Sequence, residues 1–266
     1  MRVLVTGGTG VLGREIVSGP LAAGFMRRVL TRRTRPSTVS SDTEWAQADL
    51  LTGDGLAEAL ADVHTIIHAA SDSRNSVAVD VDGTRRLVEA AAIAGVRHFI
   101  YVSIVGIDRI PFSYYRNKLA AEAIVERGRV PWSVLRATQF HSLVDSVLRQ
   151  LARVPLVMPV PTRFLIQSVD EADVARRLMR CVADGPCGRL TDYVGPERMT
   201  LGDAARTWVS VRGLTHPVIN LPLPGAMAAA LREGLNTNPA GEAGSATWRD
   251  WLVARGAPSA ALSAPR

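Results

Sequence analysis

Tyr114 and Lys118 are the two residues whose types and spacing point most directly to chemistry in this chain of 266 residues. Residues four apart on a helix lie on one face, so a helix over this segment would present the phenol and the ammonium together. A phenol with an ordinary pKa of about 10 needs help to exchange a proton at neutral pH, and a neighbouring ammonium lowers that pKa. The alternative is that this spacing has no chemical role and arose by chance, from a Tyr114-Tyr115 pair on a solvated helix.

Lys118 is the only lysine of the chain, against 30 arginines. The excess of arginine and alanine suggests a general compositional bias in which solvent positions that accept lysine have become arginine. Arginine is bulkier and is never deprotonated, so it would not substitute well at a position that tunes a pKa. The retained lysine therefore favours a chemical role for this position.

A glycine-rich segment, Thr6-Gly7-Gly8-Thr9-Gly10-Val11-Leu12-Gly13, contains the spacing G-x-G-x-x-G. It follows a predicted strand and precedes an amphipathic stretch. Glycines in this context permit a tight turn and let the backbone approach a pyrophosphate, which the next helix attracts through its unpaired N–H groups. This context favours a dinucleotide-binding loop over a merely structural glycine turn.

Arg32 and Arg33 end the second predicted strand, where an NAD site usually has a carboxylate that binds the ribose hydroxyls. No acidic residue occurs there before Asp42. The planar fork of an arginine instead suits the oxygens of a 2′-phosphate. The sequence therefore predicts NADP(H) over NAD(H), although an arginine-rich chain could place arginines here without a function.

Short apolar runs alternate with longer amphipathic stretches. The predicted strands are Val3–Val5, Arg28–Leu30, Thr65–His68, Phe99–Val102 and Ser133–Leu135. The predicted helices are Leu12–Ala23, Gly55–Ala61, Val77–Ala94, Tyr114–Glu126 and Ser142–Arg153. Regular alternation predicts βαβ units, and strands that are apolar throughout indicate burial on both faces. The predicted fold class is α/β: a Rossmann-type doubly wound parallel sheet with a small C-terminal substrate lobe.

The character of the chain changes after residue 153, where three prolines fall between Val154 and Pro161. We expect residues 1–153 to form the NAD(P)-binding core and residues 154–256 a smaller lobe, some of whose elements return to the core sheet. Residues 257–266 are expected to be a flexible tail. The later elements are predicted as helices Glu171–Cys181, Leu201–Arg212, Ala226–Glu233 and Thr247–Arg255, and strands Arg189–Val194 and Val218–Leu221.

Composition excludes several classes of protein. With 47% hydrophobic and 21% charged residues, the chain is neither disordered nor fibrous. The formal net charge is +6, but the arginines are scattered, so no nucleic-acid partner is expected. No apolar run is long enough to span a membrane, and no signal peptide is recognised, so we expect a cytoplasmic protein. Cys181 and Cys187 have no histidine cluster nearby. We therefore expect two thiols without a chemical role rather than a metal site.

The order of motifs resembles the short-chain dehydrogenase/reductase superfamily, most closely its extended and atypical branch with the NmrA-like proteins. The motifs that carry this resemblance are TGGTGVLG at Thr6–Gly13, Asp49-Leu50, His68-Ala69-Ala70-Ser71, Tyr101-Val102-Ser103-Ile104-Val105-Gly106, Tyr114-x-x-x-Lys118, Val134–Phe140 and Phe164–Ala175. They cover most of the chain.

The resemblance implies roles for three groups of residues. The pyrophosphate would be held by Gly7, Gly10 and Gly13 with the backbone of Val11 and Leu12. Asp49 would hydrogen bond the adenine amino group and Leu50 would pack on the ring, although Asp49 could equally be a loop or cap residue. The nicotinamide side would be formed by Ala69, Ala70, Ser71, Thr138 and Phe140, with Lys118 on the ribose.

The active hydroxyl of the family lies just past the fifth strand. Ser103 is close to that position and is the third expected catalytic residue, with Tyr114 and Lys118. Alternatively, Ser103 lies one residue too early in the chain, and Ile104 then occupies the position of the hydroxyl. In that case Ser103 is a structural residue. His68 is expected to be packed, and His141 is expected at a cleft mouth, facing substrate or solvent.

These observations favour an NADPH-dependent reductase that transfers hydride to a carbonyl, enone or quinone of a small, largely apolar molecule, in a monomer or homodimer. The alternative is a non-catalytic NADP(H) sensor of NmrA type. A sugar-nucleotide epimerase or dehydratase is disfavoured, because the C-terminal lobe is short and the predicted site is mostly apolar.

Overall fold

A computed structural model describes residues 1–19, 24–32 and 43–256. The chain divides into two compact units. The first comprises residues 1–137 and 171–192, and the second comprises residues 138–170 and 193–266.

Within the residues that the structure describes, the first unit is built on seven parallel strands with helices between them. Its strands are β1 (Arg2–Thr6), β2 (Met26–Thr31), β3 (Thr43–Gln47), β4 (Val63–His68), β5 (His98–Ile104), β6 (Trp132–Ala137) and, further along the chain, β9 (Gly188–Arg189). Their order across the sheet is β3-β2-β1-β4-β5-β6-β9. The direction of winding reverses between β1 and β4, which is the switch point where open α/β sheets bind ligands. This confirms the predicted Rossmann-type α/β class.

The helices of the first unit connect these strands. They are α1 (Val11–Ser18), α2 (Leu56–Ala59), α3 (Thr84–Ile93), α4 (Ser113–Arg127) and α6 (Glu171–Asp184), and a π-helical segment (Val77–Gly83) runs directly into α3. Central strand side chains such as Leu4, Ile66 and Phe99 are almost fully buried, as a sheet covered on both faces requires. The helix predicted over Val77–Ala94 is thus present, with its first two turns in the wider π geometry.

The second unit is assembled from short elements. These are α5 (His141–Leu151), β7 (Met158–Val160), β8 (Leu165–Ile166), β10 (Tyr193–Val194), β11 (Met199–Thr200), α7 (Leu201–Val211), β12 (Val218–Asn220), α8 (Ala226–Glu233), β13 (Glu242–Ala243) and α9 (Trp248–Ala254). Strand β12 pairs in parallel with β7, β10 with β13, and β11 is antiparallel to β8. Its core is centred on Trp208, Trp248 and Trp251.

The division between the units differs from the expected boundary at residue 153. Helix α5 belongs to the second unit because it packs on α7 and β7, and α6 belongs to the first because it packs on α1, β5 and β6. The single strand expected over Arg189–Val194 is two short strands, β9 and β10, one in each unit. The predicted tail, residues 257–266, lies outside the described residues.

Candidate functional site

The glycine loop joins β1 to α1 at the switch point of the sheet. Gly7 has a φ of +69°, and a Cβ there would lie 2.7 Å from the backbone nitrogen of Ala70 at the end of β4. A Cβ on Gly13 would lie 2.1 Å from the carbonyl oxygen of Gly7, and the Gly10 N–H donates to that oxygen at 2.8 Å. Close backbone contacts therefore exclude side chains at Gly7 and Gly13.

Helix α1 begins directly after this loop. Its N-cap, Gly10, provides no side-chain hydrogen bond, and its first turn carries no acidic residue. The N–H groups of a first turn have no carbonyl partner within the helix, so those of Val11, Leu12 and Gly13 can bind an anion. The Leu12 side chain itself is buried and anchors the helix, whereas Val11 is exposed.

Buried hydroxyls and an imidazole fix the ends of β1 and β4 to each other. His68 Nδ1 lies 2.6 Å from Thr6 Oγ1, and His68 Nε2 lies 2.9 Å from Thr84 Oγ1. Thr6 Oγ1 also accepts from the Ala70 N–H at 3.2 Å. Complete burial lowers the pKa of His68 to about 3, so its ring is neutral at physiological pH. His68 therefore has a packing role, as expected.

Two predicted contacts for the adenine ring have structural roles of their own. Asp49 Oδ1 accepts from the Leu51 N–H at 2.8 Å. This hydrogen bond closes a local turn, as expected if Asp49 is a loop residue. Leu50 is buried in the core of the first unit and packs against Gly83. Arg32 is exposed just after β2, and Arg33 lies outside the described residues.

The predicted Tyr114 belongs to a network that starts at the end of β4. Its Oη lies 2.7 Å from Ser71 Oγ, which donates to Asp80 Oδ1 at 2.6 Å. Ala69 and Ala70 are half-buried and lead into the exposed Ser71. Burial raises the pKa of Tyr114 to about 12, and the negative charge of Asp80 acts in the same direction. The expected lowering of this pKa by Lys118 is not found.

Lys118 is almost completely buried beneath that network. Its Nζ donates to the Val102 carbonyl oxygen at 2.9 Å, lies 4.2 Å from the centre of the Tyr101 ring and is 3.7 Å from Asp80 Oδ1. Burial lowers the pKa of Lys118 to about 8, against the attraction of nearby carboxylates. The ammonium is thus connected to Tyr114 through Asp80 and Ser71.

Asp80 is the residue of this site that the sequence did not single out. It is 1% exposed and lies in the π-helical segment, whose geometry is rare and occurs often at functional sites. The available signal was a carboxylate inside the otherwise apolar run Val77-Ala78-Val79-Asp80-Val81.

Ser103 faces a different group of charges. Burial raises the pKa of the Glu122 carboxyl, but Arg136 and Ser103 outweigh this effect and hold that pKa below its usual range. Arg136 Nη2 donates to Glu122 Oε2 at 2.8 Å, and Arg189 Nη1 donates to the same oxygen at 3.0 Å. Ser103 itself is 3% exposed on β5, and its Oγ makes no hydrogen bond among the described residues.

Thr138 and Phe140, expected at the nicotinamide, belong to the second unit. Thr138 Oγ1 accepts from the Gly195 N–H at 3.2 Å, and Phe140 precedes α5 and bridges to Val169. The expectation that His141 faces substrate or solvent is wrong. Its ring is fully buried, with Nδ1 at 2.9 Å from Ser168 Oγ, because the helix turns it into the tryptophan core.

Two kinds of feature are absent from residues 1–19, 24–32 and 43–256. Within them no helix is long and apolar enough to cross a membrane. Nor does any group of three or more histidine, cysteine, aspartate or glutamate side chains there come close enough together to hold a metal ion.

Residues 7–185 match the model of a family described as NAD(P)H-binding. The Photosystem II assembly factor Ycf39 of Trieres chinensis is 28% identical over 195 residues, 68% of this chain, but the chain spans only 59% of that protein. A (4-alkanoyl-5-oxo-2,5-dihydrofuran-3-yl)methyl phosphate reductase of Streptomyces griseus is 30% identical over 203 residues, which cover 74% of this chain and 69% of the reductase.

The fold is similar to that of the NADPH-dependent quinone oxidoreductase QOR2 of Escherichia coli, with a TM-score of 0.77 and 18% identity over 95% of this chain and 99% of the other. The matched region contains the glycine loop and the Tyr114–Lys118 helix described above. The chain is therefore a member of the NAD(P)H-binding family.

Proposed function

We propose that this protein is an NADPH-dependent reductase that transfers hydride to a carbonyl, enone or quinone of a small, largely apolar molecule. One observation carries the proposal: Tyr114 Oη lies 2.7 Å from Ser71 Oγ, and Ser71 directly follows the Ala69–Ala70 backbone on which Gly7 packs. A phenol that can act as a general acid therefore lies beside the glycine loop.

The residues of the loop fit a dinucleotide. Side chains are excluded at Gly7 and Gly13 by close backbone contacts, so the backbone is accessible to a pyrophosphate. The first-turn N–H groups of α1 would bind its oxygens. Arg32 is exposed at the end of β2 and no carboxylate occurs from Thr31 to Ser41, which supports a 2′-phosphate and hence NADPH.

The side chains around Tyr114 define the reaction that the site supports. When bound, NADPH supplies the hydride. Tyr114 donates its Oη proton to the oxyanion that forms on the substrate, and Ser71 is the hydroxyl beside the phenol. With a quinone or enone, solvent can supply the proton, and the phenol then contributes less. Fixed orientation of the reactants gives most of the advantage in either case.

Two relatives support this reaction class. The Streptomyces griseus protein is named as a reductase, and the Escherichia coli structure is that of an NADPH-dependent quinone oxidoreductase. Neither name specifies a substrate for this chain. One names a reductase and the other a quinone oxidoreductase, and the reaction proposed here belongs to the same class.

A second candidate is an NADP(H) sensor whose occupancy changes a partner interaction. It is favoured by the raised pKa of Tyr114, which makes this phenol a weaker acid than an ordinary tyrosine. The relative from Trieres chinensis is named as an assembly factor rather than as an enzyme.

NADPH oxidation against a panel of quinones, enones and aryl ketones separates these functions. Tyr114→Phe and Lys118→Arg should reduce turnover at least about tenfold, whereas Tyr115→Phe, the matched control on the same helix, should retain it. Turnover that survives Tyr114→Phe indicates protonation by solvent. Tight NADPH binding without turnover on any substrate would contradict the reductase and favour the sensor.

A further inference from the structure

The buried carboxylate of Asp80 has no part in the function proposed so far. Its Oδ1 accepts from Ser71 Oγ at 2.6 Å and lies 3.7 Å from Lys118 Nζ, and its Oδ2 accepts from the Asp72 N–H at 3.2 Å. A buried carboxylate is costly unless it is paired and hydrogen bonded, and these three contacts satisfy that requirement. Asp80 therefore joins the phenol side of the site to the ammonium side.

The contacts also fix the direction of the hydrogen bonds. A carboxylate only accepts, so Ser71 must use its single hydrogen to donate to Asp80. Ser71 Oγ can then only accept from Tyr114, which means that the phenolic hydrogen of Tyr114 points at Ser71. The resting phenol is held in one orientation by a chain of donors that ends on Asp80.

Lys118 lies beside Asp80, at the end of this series of hydrogen bonds that is opposite Tyr114. The groups that influence or face its ammonium are Asp80 from the π-helical segment, His68 from β4, Tyr101 from β5 and Glu122 from α4 itself. Burial brings the pKa of Lys118 to about 8, so this ammonium can release a proton near neutral pH, whereas an arginine could not.

We propose that Asp80 is a positioning residue that, through Ser71, couples proton donation by Tyr114 to the charge on Lys118. This inference rests on the proposed reductase function. When substrate binds, the phenolic hydrogen turns from Ser71 to the substrate oxyanion, where the Tyr114 Oη–H bond breaks. The Ser71 hydrogen turns from Asp80 to the phenolate oxygen and passes to it. Asp80 transfers a proton from Lys118 to Ser71, which leaves a neutral amine that solvent later reprotonates. No group is oxidised or reduced in this path.

The pairing can be measured without turnover because the chain has one lysine. Protein labelled with [ε-¹³C]lysine should give a single side-chain NMR signal that titrates near pH 8. Asp80→Asn removes the neighbouring anion and should lower the pKa of Lys118 by about 1–3 pH units. Asp82→Asn, a control on the same π-helical segment, should leave the titration unchanged, and Asp80→Glu should restore it. An unchanged titration in Asp80→Asn overturns the pairing.

Turnover then tests the proton path. In the wild type kcat should fall as the pH rises through the pKa of Lys118, whereas Asp80→Asn, whose amide cannot carry the proton, should have a kcat about tenfold or more lower even below that pH. Ser71→Ala, at an exposed position that the fold tolerates, should lower kcat about tenfold or more with little change in KM. A wild type that turns over while both variants keep its kcat and pH profile overturns the path but leaves the reductase intact. A wild type without turnover overturns both, and the lysine titration still decides whether Asp80 and Lys118 are paired.

Discussion

A Cβ on Gly13 would lie 2.1 Å from the carbonyl oxygen of Gly7, although Gly7 lies in the loop and Gly13 in the first turn of α1. The start of α1 is thus pressed against the turn that precedes it. The same turn is pressed against β4, because a Cβ on Gly7 would lie 2.7 Å from the Ala70 nitrogen. Strand end, turn and helix start therefore form one rigid platform at the switch point of the sheet.

Alanine substitutions in this platform should affect stability and cofactor binding together. Gly13→Ala should lower the free energy of unfolding by about 1–3 kcal/mol through overpacking and should weaken NADPH binding. Gly7→Ala adds the strain of a positive φ to a backbone collision. Gly95→Ala, with a φ of +71° and no atom within 4 Å of its Cβ, is the matched control for strain alone. Urea unfolding and NADPH titration measure both effects, and equal losses in Gly7→Ala and Gly95→Ala would contradict the steric explanation.

The cofactor preference should depend on Arg32. Arg32→Ala should raise the Kd for NADPH about tenfold, equivalent to ~1.4 kcal/mol, because a charge-assisted contact to the 2′-phosphate is lost. The Kd for NADH should not change. Arg129→Ala, also at an exposed arginine, serves as the control for net charge. Fluorescence titration with both nucleotides provides the measurement, and equal weakening of the two would assign Arg32 a role that does not involve the phosphate.

Acid should destabilise the protein partly through His68. The pKa of this ring is lowered by burial from its ordinary value of 6.5 to about 3. Between these values the unfolded chain binds a proton that the folded protein cannot, so the free energy of unfolding falls as the pH falls. The expected slope is ~1.4 kcal/mol per pH unit from this residue.

Denaturant unfolding of the wild type and of His68→Gln between pH 7 and pH 5 measures that slope. The variant should be less stable at pH 7, where it loses the contacts with Thr6 and Thr84, but its stability should depend less on pH. An unchanged dependence would assign the acid sensitivity to another group, and burial also lowers the pKa of His98, to about 4.

The second unit should depend on Asp145. This carboxylate accepts from Trp208 Nε1 at 2.7 Å and from Arg212 Nη2 at 2.8 Å, and its other oxygen accepts from Arg149 at 2.7 Å. Asp145→Asn leaves the buried Arg212 guanidinium without its counter-charge and should cost about 3–5 kcal/mol. Arg206→Ala removes an exposed ion pair and should cost less than about 1 kcal/mol.

The same carboxylate predicts the direction of a pH effect. Burial raises the pKa of Asp145, but its hydrogen bonds from Arg149 and Trp208 and the charge of Arg212 bring it below the usual range. Its stabilisation is therefore present above the ordinary aspartate pKa and is lost as the pH falls through the lowered value. Thermal unfolding of Asp145→Asn and Arg206→Ala tests the magnitude, and similar losses in the two would refute the assigned role of burial.

The features of this protein that depend on local pattern could be predicted before its fold was known. Strand and helix periodicity, with glycines directly after β1, was sufficient for the parallel α/β class and for the position of the dinucleotide loop. The four-residue spacing of Tyr114 and Lys118 placed both on α4. Each of these features follows from interactions between neighbours along the chain, which is why one sequence could reveal them.

The partners and protonation of several side chains could not be predicted from local pattern, because burial and long-range contacts arise only when the chain folds. Asp80 becomes a partner of Lys118 when the π-helical segment packs on α4, and the pKa of Tyr114 is raised because the folded protein removes it from water. His141 enters the tryptophan core for the same reason. The residue types that chemistry requires were visible in the sequence, but the partners and the dielectric surroundings that set their protonation depend on the fold.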